Sequence, residues 1–393
     1  MAEYSVPGVY IQESSVLSLS INSSATAIPV FAFEADKAQS KLLFGDAVTE
    51  IGSWLDVTAL MAKKLVKDGK PDLEAIAAWQ AEPLYLSLKT YFDNGGARGY
   101  VADVGNLTKL VPGLDDVTLL VQAGVKTETF AGAVNTMSAS RTVFWFALFD
   151  APDAELANVT AVTALREKNL YPKTSHGAVY YPWLKADWAV KTAGDKTTYL
   201  SIPPSAAAAG AYCTVDRERG VWKAPANVPV KGGARPRFKV SDDVDGACNV
   251  PAGNGDQAIN VIREFRGTGP LIWGARTLNA NSDDWRFVPV RRLFSAAEKD
   301  IRSAMGVALF EPNSSPTWER VRSAIDIYLH GLWKAGALMG DTPEQAYFVH
   351  IGLGVTMTAS DIESGQMIVK VGMAAVRQED FKIIQLNQEM EQD

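Results

Sequence analysis

A helix that begins at a proline and runs through a glycine turn into an apolar strand constrains the fold of this chain more than any other feature. Pro83 suits the first turn of the helix, and Asp93-Asn94-Gly95-Gly96 tolerates the left-handed backbone of a helix end. A strand pattern follows at 99–104, and further apolar segments occupy 116–121 and 143–149. Apolar strands that alternate with helices are typical of sheets buried on both faces. The sequence therefore predicts an α/β domain around a largely buried sheet.

The composition is that of a folded, soluble chain. Hydrophobic residues make up 47% and charged residues 21% of the 393 residues, which argues against disordered, collagen-like and coiled-coil proteins. This length predicts more than one domain. The net charge of -7 argues against a dedicated nucleic-acid binder, and two cysteines are too few for a disulfide framework. With no membrane-length apolar run and no signal peptide pattern, we expect synthesis in the cytoplasm and no stable membrane insertion.

The residue types that carry enzyme chemistry are not arranged in any recognised motif. The three histidines, His176, His330 and His350, lack the spacing of a metal site, and neither a nucleophile elbow nor a phosphate-binding loop occurs. We therefore expect no catalytic residue, metal or cofactor, and a structural or interaction protein. Two alternatives stay open. One is a hydrolase built on His176, and the other is a surface- or carbohydrate-binding module, for which the ten tryptophans give faint support.

Both ends of the chain carry short extended segments outside the compact part. Pro7 and Gly8 argue against a helix near the N-terminus, and Leu17, Leu19 and Ile21 alternate with polar residues. Such a segment is either an ordinary first strand or a strand that pairs with another subunit, through backbone hydrogen bonds. We predict strand exchange between subunits, with these candidate residues: Val9, Tyr10, Ile11, Met367, Ile368, Val369, Val371, Phe381, Ile383, Ile384 and Leu386.

Several motifs, spread from residue 7 to the C-terminal third, resemble those of one protein family. They are PGVY at 7–10, YFDNGG at 91–96, GVWKAPAN at 220–227, LIWGARTL at 271–278, DWRFV at 284–288, VRRLF at 290–294, FEPN at 310–313 and TPEQAYFV at 342–349. Together they are similar to the tail sheath proteins of contractile phages, phage-tail-like bacteriocins and extracellular contractile injection systems. The short segment between Val104 and Asp116 implies that the outer domains of larger phage sheaths are missing.

The resemblance implies an architecture. It implies a subtilisin-like α/β middle domain without an active site, an α+β C-terminal sheath domain and extended terminal strand arms. The corresponding divisions are an arm at 1–22, a body at 23–270, an inner C-terminal domain at 271–376 and a strand arm with an acidic tail at 377–393.

The resemblance also implies partners. They are copies of the chain in stacked hexameric rings, an inner tube, a baseplate and terminator or cap proteins, with no direct nucleic-acid contact. Ser295 and Glu298 form a capping-box pattern that predicts a helix over 296–309. We predict that this helix faces the tube through Lys299 and Arg302, because exposed ion pairs are weak and releasable. A solvated helix face is the alternative.

Overall fold

The computed structural model describes residues 19–139, 143–193, 196–249, 257–279, 282–306, 308, 311–376 and 382–389. The strands of the body are β1 (Pro29–Phe33), β2 (Thr49–Ile51), β3 (Val66–Lys67), β4 (Lys70–Pro71), β5 (Gly99–Asp103), β6 (Leu119–Val121), β7 (Phe146–Asp150), β8 (Gly177–Tyr181), β9 (Leu184–Lys185), β10 (Val190–Ala193), β11 (Lys196–Tyr199), β12 (Val228–Pro229), β13 (Arg235–Pro236), β14 (Ile259–Phe265) and β15 (Gly269–Ile272). Its helices are α1 (Ala38–Phe44), α2 (Trp54–Lys64), α3 (Leu73–Gln80), α4 (Pro83–Asp93), α5 (Leu107–Leu110), α6 (Thr127–Ser138), α7 (Val159–Glu167), α8 (Pro204–Arg219) and α9 (Asp242–Asn249).

The C-terminal part has its own small sheet. Its elements are α10 (Val288–Met305), α11 (Ser315–Lys334), α12 (Pro343–Ala346), β16 (Tyr347–Ile351), α13 (Ala359–Glu363), β17 (Gln366–Met373) and β18 (Lys382–Glu389).

A nine-stranded mixed sheet forms the centre of the body. Its order is β12-β15-β14-β8-β7-β6-β1-β5-β2, and the six strands from β5 to β14 run parallel. Strands β2, β15 and β12 extend its two ends in antiparallel pairing. Strands β1, β5, β7 and β8 are buried at every position, which confirms the prediction of a buried sheet. Phe31 belongs to the core on one face of the sheet, and Val30 and Ala32 belong to the core on the other.

Helix α8 is the most deeply buried helix of the body. It contacts β6, β7 and β8 and packs against α4, and its residues from Pro204 to Val215 are buried. A β-carbon at Gly210 would lie 2.7 Å from the carbonyl oxygen of Tyr91 on α4. The alanine run and Gly210 therefore let the two helices approach closely. Helix α4 itself begins at Pro83 and ends at Asp93, as predicted.

The C-terminal part packs α10 and α11 on the sheet β16-β17-β18. The predicted capping box is wrong, because α10 begins at Val288 and Ser295 is buried two turns inside it. Pro289 in the first turn starts the helix upstream, so the backbone N–H groups near Ser295 are already used within the helix. The described helix ends at Met305, and residues 307, 309 and 310 lie outside the described residues.

The hydrophobic clusters show where the two parts of the chain meet. The predicted boundary at residue 271 falls inside β15, which belongs to the body sheet. Leu278 packs in a body cluster, whereas Trp285 packs against the C-terminal cluster. Leu19 and Ile21 also pack against the C-terminal cluster. The described residues of the N-terminal segment therefore follow the predicted alternation, although they form no strand.

Candidate assembly interface

His176 stands in an environment that does not suit acid–base catalysis. It lies in the loop before β8, where burial and then the charge of Arg291 lower the pKa of its imidazole to about 3. Among the described residues its ring makes no hydrogen bond to a serine hydroxyl or an acidic side chain. Within the same residues, no three His, Cys, Asp or Glu side chains are grouped to hold a metal ion. Among the described residues, His176 therefore has neither the basicity nor the orienting acid that the hydrolase alternative requires.

The place where an open parallel sheet usually binds ligands is closed in this chain. Strand β5 lies on one side of β1 and the next strand, β6, lies on the other, so the strand order reverses between β1 and β6. Ligands of such sheets bind beyond the carboxyl ends of the strands at this reversal. Here the void between Phe33 and Gly124 measures only about 10 Å³. The backbone N–H groups of Gly124 and Ser205 donate to the Asp150 carboxylate at 2.9 and 2.7 Å. Asp150 thereby ties the first turn of α8 to the end of β7 and to Gly124, which follows β6.

The C-terminal sheet contains the strand candidates that the structure describes. Met367, Val369 and Val371 of β17 are buried, and Ile368 points to the opposite face. Strand β18 lies antiparallel beside β17 of the same chain, with Ile384 opposite Val371. In this three-stranded sheet β16 and β18 are the edges.

Other strand candidates lie partly or wholly outside this description. Ile383, Ile384 and Leu386 are placed only as backbone positions of β18. Phe381, Val9, Tyr10 and Ile11 lie outside the described residues. Exchange of strands between subunits therefore stays a prediction.

Lys299 and Arg302 lie beside a groove of about 700 Å³ between α10 and the body. Burial lowers the pKa of Lys299, although Asp116 opposes this shift. Arg302 lies 3.8 Å from the Glu298 carboxylate, and its guanidinium is 5.8 Å from the centre of the Phe144 ring. Lys299 and Arg302 are thus directed toward the body as well as toward solvent. Their contact with a tube stays a prediction.

A buried ion pair joins the two parts of the chain. Arg292 of α10 donates to both carboxylate oxygens of Asp216 on α8, at 3.0 and 2.6 Å, and to the carbonyl oxygen of Thr26 at 2.9 Å. The Thr26 hydroxyl donates to Asp216 at 2.5 Å, and the guanidinium lies 4.5 Å from the centre of the Tyr212 ring. Sequence reasoning missed this pair. The available signal was two adjacent arginines at the start of an otherwise apolar helix face.

The beginning of the described chain is fixed at the same junction. The backbone N–H and the hydroxyl of Ser24 donate to Asp300 of α10, at 3.1 and 2.5 Å. The Tyr328 hydroxyl of α11 donates to the other carboxylate oxygen of Asp300 at 2.8 Å. These contacts fix Ser24 to α10 and, through Asp300, to α11.

The comparisons with known proteins agree with this geometry. Residues 280–389 match the phage tail sheath C-terminal domain. Over the whole chain, the structure is similar to that of the sheath complex of an extracellular contractile injection system, PVC, in its contracted state. The identity is 45%, the alignment covers 99% of each chain and the TM-score is 0.80. The chain belongs to the contractile tail sheath family.

Two further solved structures place this sheath protein within the fold. The contracted helical sheath of the anti-feeding prophage is 37% identical, with 98% of this chain and 100% of that chain covered and a TM-score of 0.70. A sheath tail protein of Desulfitobacterium hafniense shares only 8% identity over 97% of this chain and 100% of its own, with a TM-score of 0.59, which shows the fold alone. No match was found among the curated proteins. None of the helices in the described ranges is long and apolar enough to cross a membrane.

Proposed function

We propose that this protein is the repeating subunit of a contractile sheath, which assembles as stacked hexameric rings around an inner tube and shortens to drive that tube through a target membrane. The whole-chain identity of 45% to a sheath solved in its contracted state carries the proposal. The partners are copies of the chain, the inner tube, a baseplate and a terminator or cap. The protein is made in the cytoplasm, and its body is a subtilisin-like domain without an active site.

The structure supports a body that moves as one piece. The nine-stranded sheet is covered on both faces, and the buried Arg292–Asp216 pair connects it to the C-terminal part. A contracting lattice stores energy if its extended form is metastable and its contracted form buries more subunit surface. Stiff subunits transmit such a change only if the connections between them allow the subunits to rotate. The terminal strands are our candidates for these connections.

The C-terminal strand supports this idea by its backbone pairing. All eight residues of β18 pair with β17, and residues 374–381 connect the two strands in sequence. A copy of β18 from a neighbouring subunit could make the same backbone hydrogen bonds, because exchange of an identical element preserves its contacts. The N-terminal arm, around Val9, Tyr10 and Ile11, would add to an edge of a neighbour's sheet. Residues 1–18, which include this arm and precede the described part of the chain, could span up to about 60 Å if fully extended.

Deletion of residues 1–15 tests this proposal. The truncated chain should remain a folded, soluble monomer and should form no tubes by negative-stain electron microscopy, whereas the full chain should form them. A matched pair in the full chain refines the test. Val9→Pro removes a backbone N–H and should block tubes, and Val9→Ala keeps it and should not. If truncation mainly lowers the thermal stability of the monomer, the arm pairs within its own chain.

A sheath role also predicts that the protein does not hydrolyse peptides or esters. The partly buried His176 beside Arg291 supports this expectation, because an imidazole whose pKa is lowered to about 3 is a weak proton acceptor and no acidic side chain among the described residues orients it. Ester turnover that is abolished by His176→Ala would contradict the proposal.

A further inference from the structure

Two adjacent arginines of α10 are both buried, but only one has an acidic partner. Arg292 is 4% exposed and forms the ion pair with Asp216. Arg291 is 8% exposed and makes one side-chain hydrogen bond among the described residues, from Nε to the Ser295 hydroxyl at 3.3 Å. A guanidinium has five N–H donors, so most of the donors of Arg291 are unused within the described chain.

The surroundings of Arg291 hold its guanidinium in place without neutralising it. The group lies 4.1 Å from the centre of the Trp285 ring, and that ring packs edge-on against Phe294. His176 faces it as a neutral side chain. Glu298, two turns along the same helix, is the acid whose charge acts on Arg291, but this carboxylate lies within 4 Å of Arg302 and not of Arg291. Burial lowers the pKa of Arg291 to about 10.

A buried cation without a carboxylate is unfavourable for the isolated subunit. Stacking on tryptophan recovers part of the lost hydration, and the remaining N–H groups, which make no hydrogen bond within the described chain and are not fully buried, can reach an acceptor from outside it. A planar guanidinium that is fixed by an aromatic ring and a hydroxyl is also preorganised, and its fork matches the two oxygens of a carboxylate. Arg291 is therefore positioned to form an ion pair with a carboxylate that the described chain does not supply.

We propose that Arg291 receives the carboxylate of an acidic side chain from a second copy of this chain. This inference rests on the proposed sheath function, in which each subunit contacts its copies. The charge of the chain supports the choice of partner, because 45 acidic residues against 38 basic residues make carboxylates abundant on a neighbouring copy. The site is distinct from the terminal strands, which pair through the backbone.

Arg291→Met tests the site through two independent readouts. The variant removes an unpaired buried charge, so the melting temperature of the monomer should be equal to or above that of the wild type. Its concentration threshold for tube formation should rise about tenfold or more, since a buried charged partner would be lost at the interface. A lower melting temperature would show that Arg291 is structural, and unchanged tube formation would show that it binds nothing at the interface. Either result overturns the proposal.

A crosslinking experiment identifies the source of the carboxylate. Tubes of Arg291→Lys, assembled from a mixture of ¹⁴N- and ¹⁵N-labelled chains, are treated with a zero-length carbodiimide and digested for mass spectrometry. A crosslink from residue 291 to an acidic residue of a differently labelled chain supports the proposal. A crosslink only within one chain, as to Glu298, or none at all contradicts it.

A free anion is the remaining alternative, and acetate serves as its probe. If acetate raises the melting temperature of the wild type but not of Arg291→Met, while tube formation is the same in both, the site takes a free ion and the proposal fails. Wild-type tubes are the reference throughout. A wild type that forms no tubes contradicts the sheath function together with this site, whereas wild-type tubes that Arg291→Met leaves unchanged contradict this site alone.

Discussion

Replacement of Arg292 by methionine should destabilise the folded subunit by about 3–5 kcal/mol. The change leaves the Asp216 carboxylate buried, with the Thr26 hydroxyl as its remaining side-chain donor. It removes both hydrogen bonds of the bidentate pair, the bond to the Thr26 carbonyl oxygen and the contact with the Tyr212 ring. The magnitude is large because an uncompensated charge remains at a site that water barely reaches. A methionine of similar length fills most of the space.

A second variant distinguishes the cost of the unpaired buried charge from the cost of lost packing. In Arg292→Met combined with Asp216→Leu, no buried charge is left, so the double variant should recover to within about 1–2 kcal/mol of the wild type. Arg235→Met is the matched surface control. Its pair with Asp187 is 43% and 77% exposed, and its loss should cost no more than about 1 kcal/mol.

Urea unfolding of the monomer, followed by tryptophan fluorescence and circular dichroism, measures these effects. Because the pair joins α8 to α10, Arg292→Met should also separate the unfolding of the C-terminal part from that of the body. A single variant as stable as the wild type, or a double variant no more stable than the single one, would refute the reasoning. Arg291→Met should act in the opposite direction, although the two residues are neighbours in sequence.

Three other changes give further tests. Gly210→Ala should destabilise the subunit by about 1–3 kcal/mol in urea unfolding, because its β-carbon would meet the α4 backbone at 2.7 Å, whereas Gly331→Ala on an open helix face should stabilise it by about 0.5–1 kcal/mol. Burial raises the pKa of Asp150 from 3.8 to about 6, so its contribution to stability is present below about pH 4 and is lost as the pH rises through 6. The stability difference between wild type and Asp150→Asn should therefore fall by on the order of 3 kcal/mol over that range, and a constant difference would contradict the assignment. Lys299→Glu with Arg302→Glu should leave the monomer folded and impair assembly on the tube, and normal extended particles across a salt series would show that the groove does not face the tube.

Local signals predicted those parts of the fold that local interactions determine. Pro83 and the glycine turn gave the correct bounds of α4, and the apolar runs marked the buried strands. Helix α8 was not predicted, because a helix buried on most of its faces lacks the amphipathic period that marks a helix in sequence. The capping-box pattern at Ser295 was misleading, since the same pattern occurs inside a helix that starts upstream.

The candidate site was less predictable than the fold. Arg292 and Asp216 are 76 positions apart in sequence, and only the tertiary fold brings them together. Arg291 and Arg292 are chemically identical and adjacent, so one sequence does not show which of them has a partner. The predicted strand candidates Ile383, Ile384 and Leu386 lie within the strand observed at Lys382–Glu389, because their apolar pattern is a local property of the sequence. Which chain supplies the partner of this strand in an assembly is not determined by the local sequence.

A cryo-electron microscopy structure of the tubes formed by the purified chain tests the central claim most directly. We expect six subunits in each ring, with β18 of one subunit hydrogen-bonded to β17 of another and the N-terminal arm on an edge of a neighbour's sheet. The bodies should superimpose on the single chain, with the Arg292–Asp216 pair intact. A particle in which both termini pack only on their own chain would contradict strand exchange, and a chain that forms no helical tube would contradict the sheath function itself.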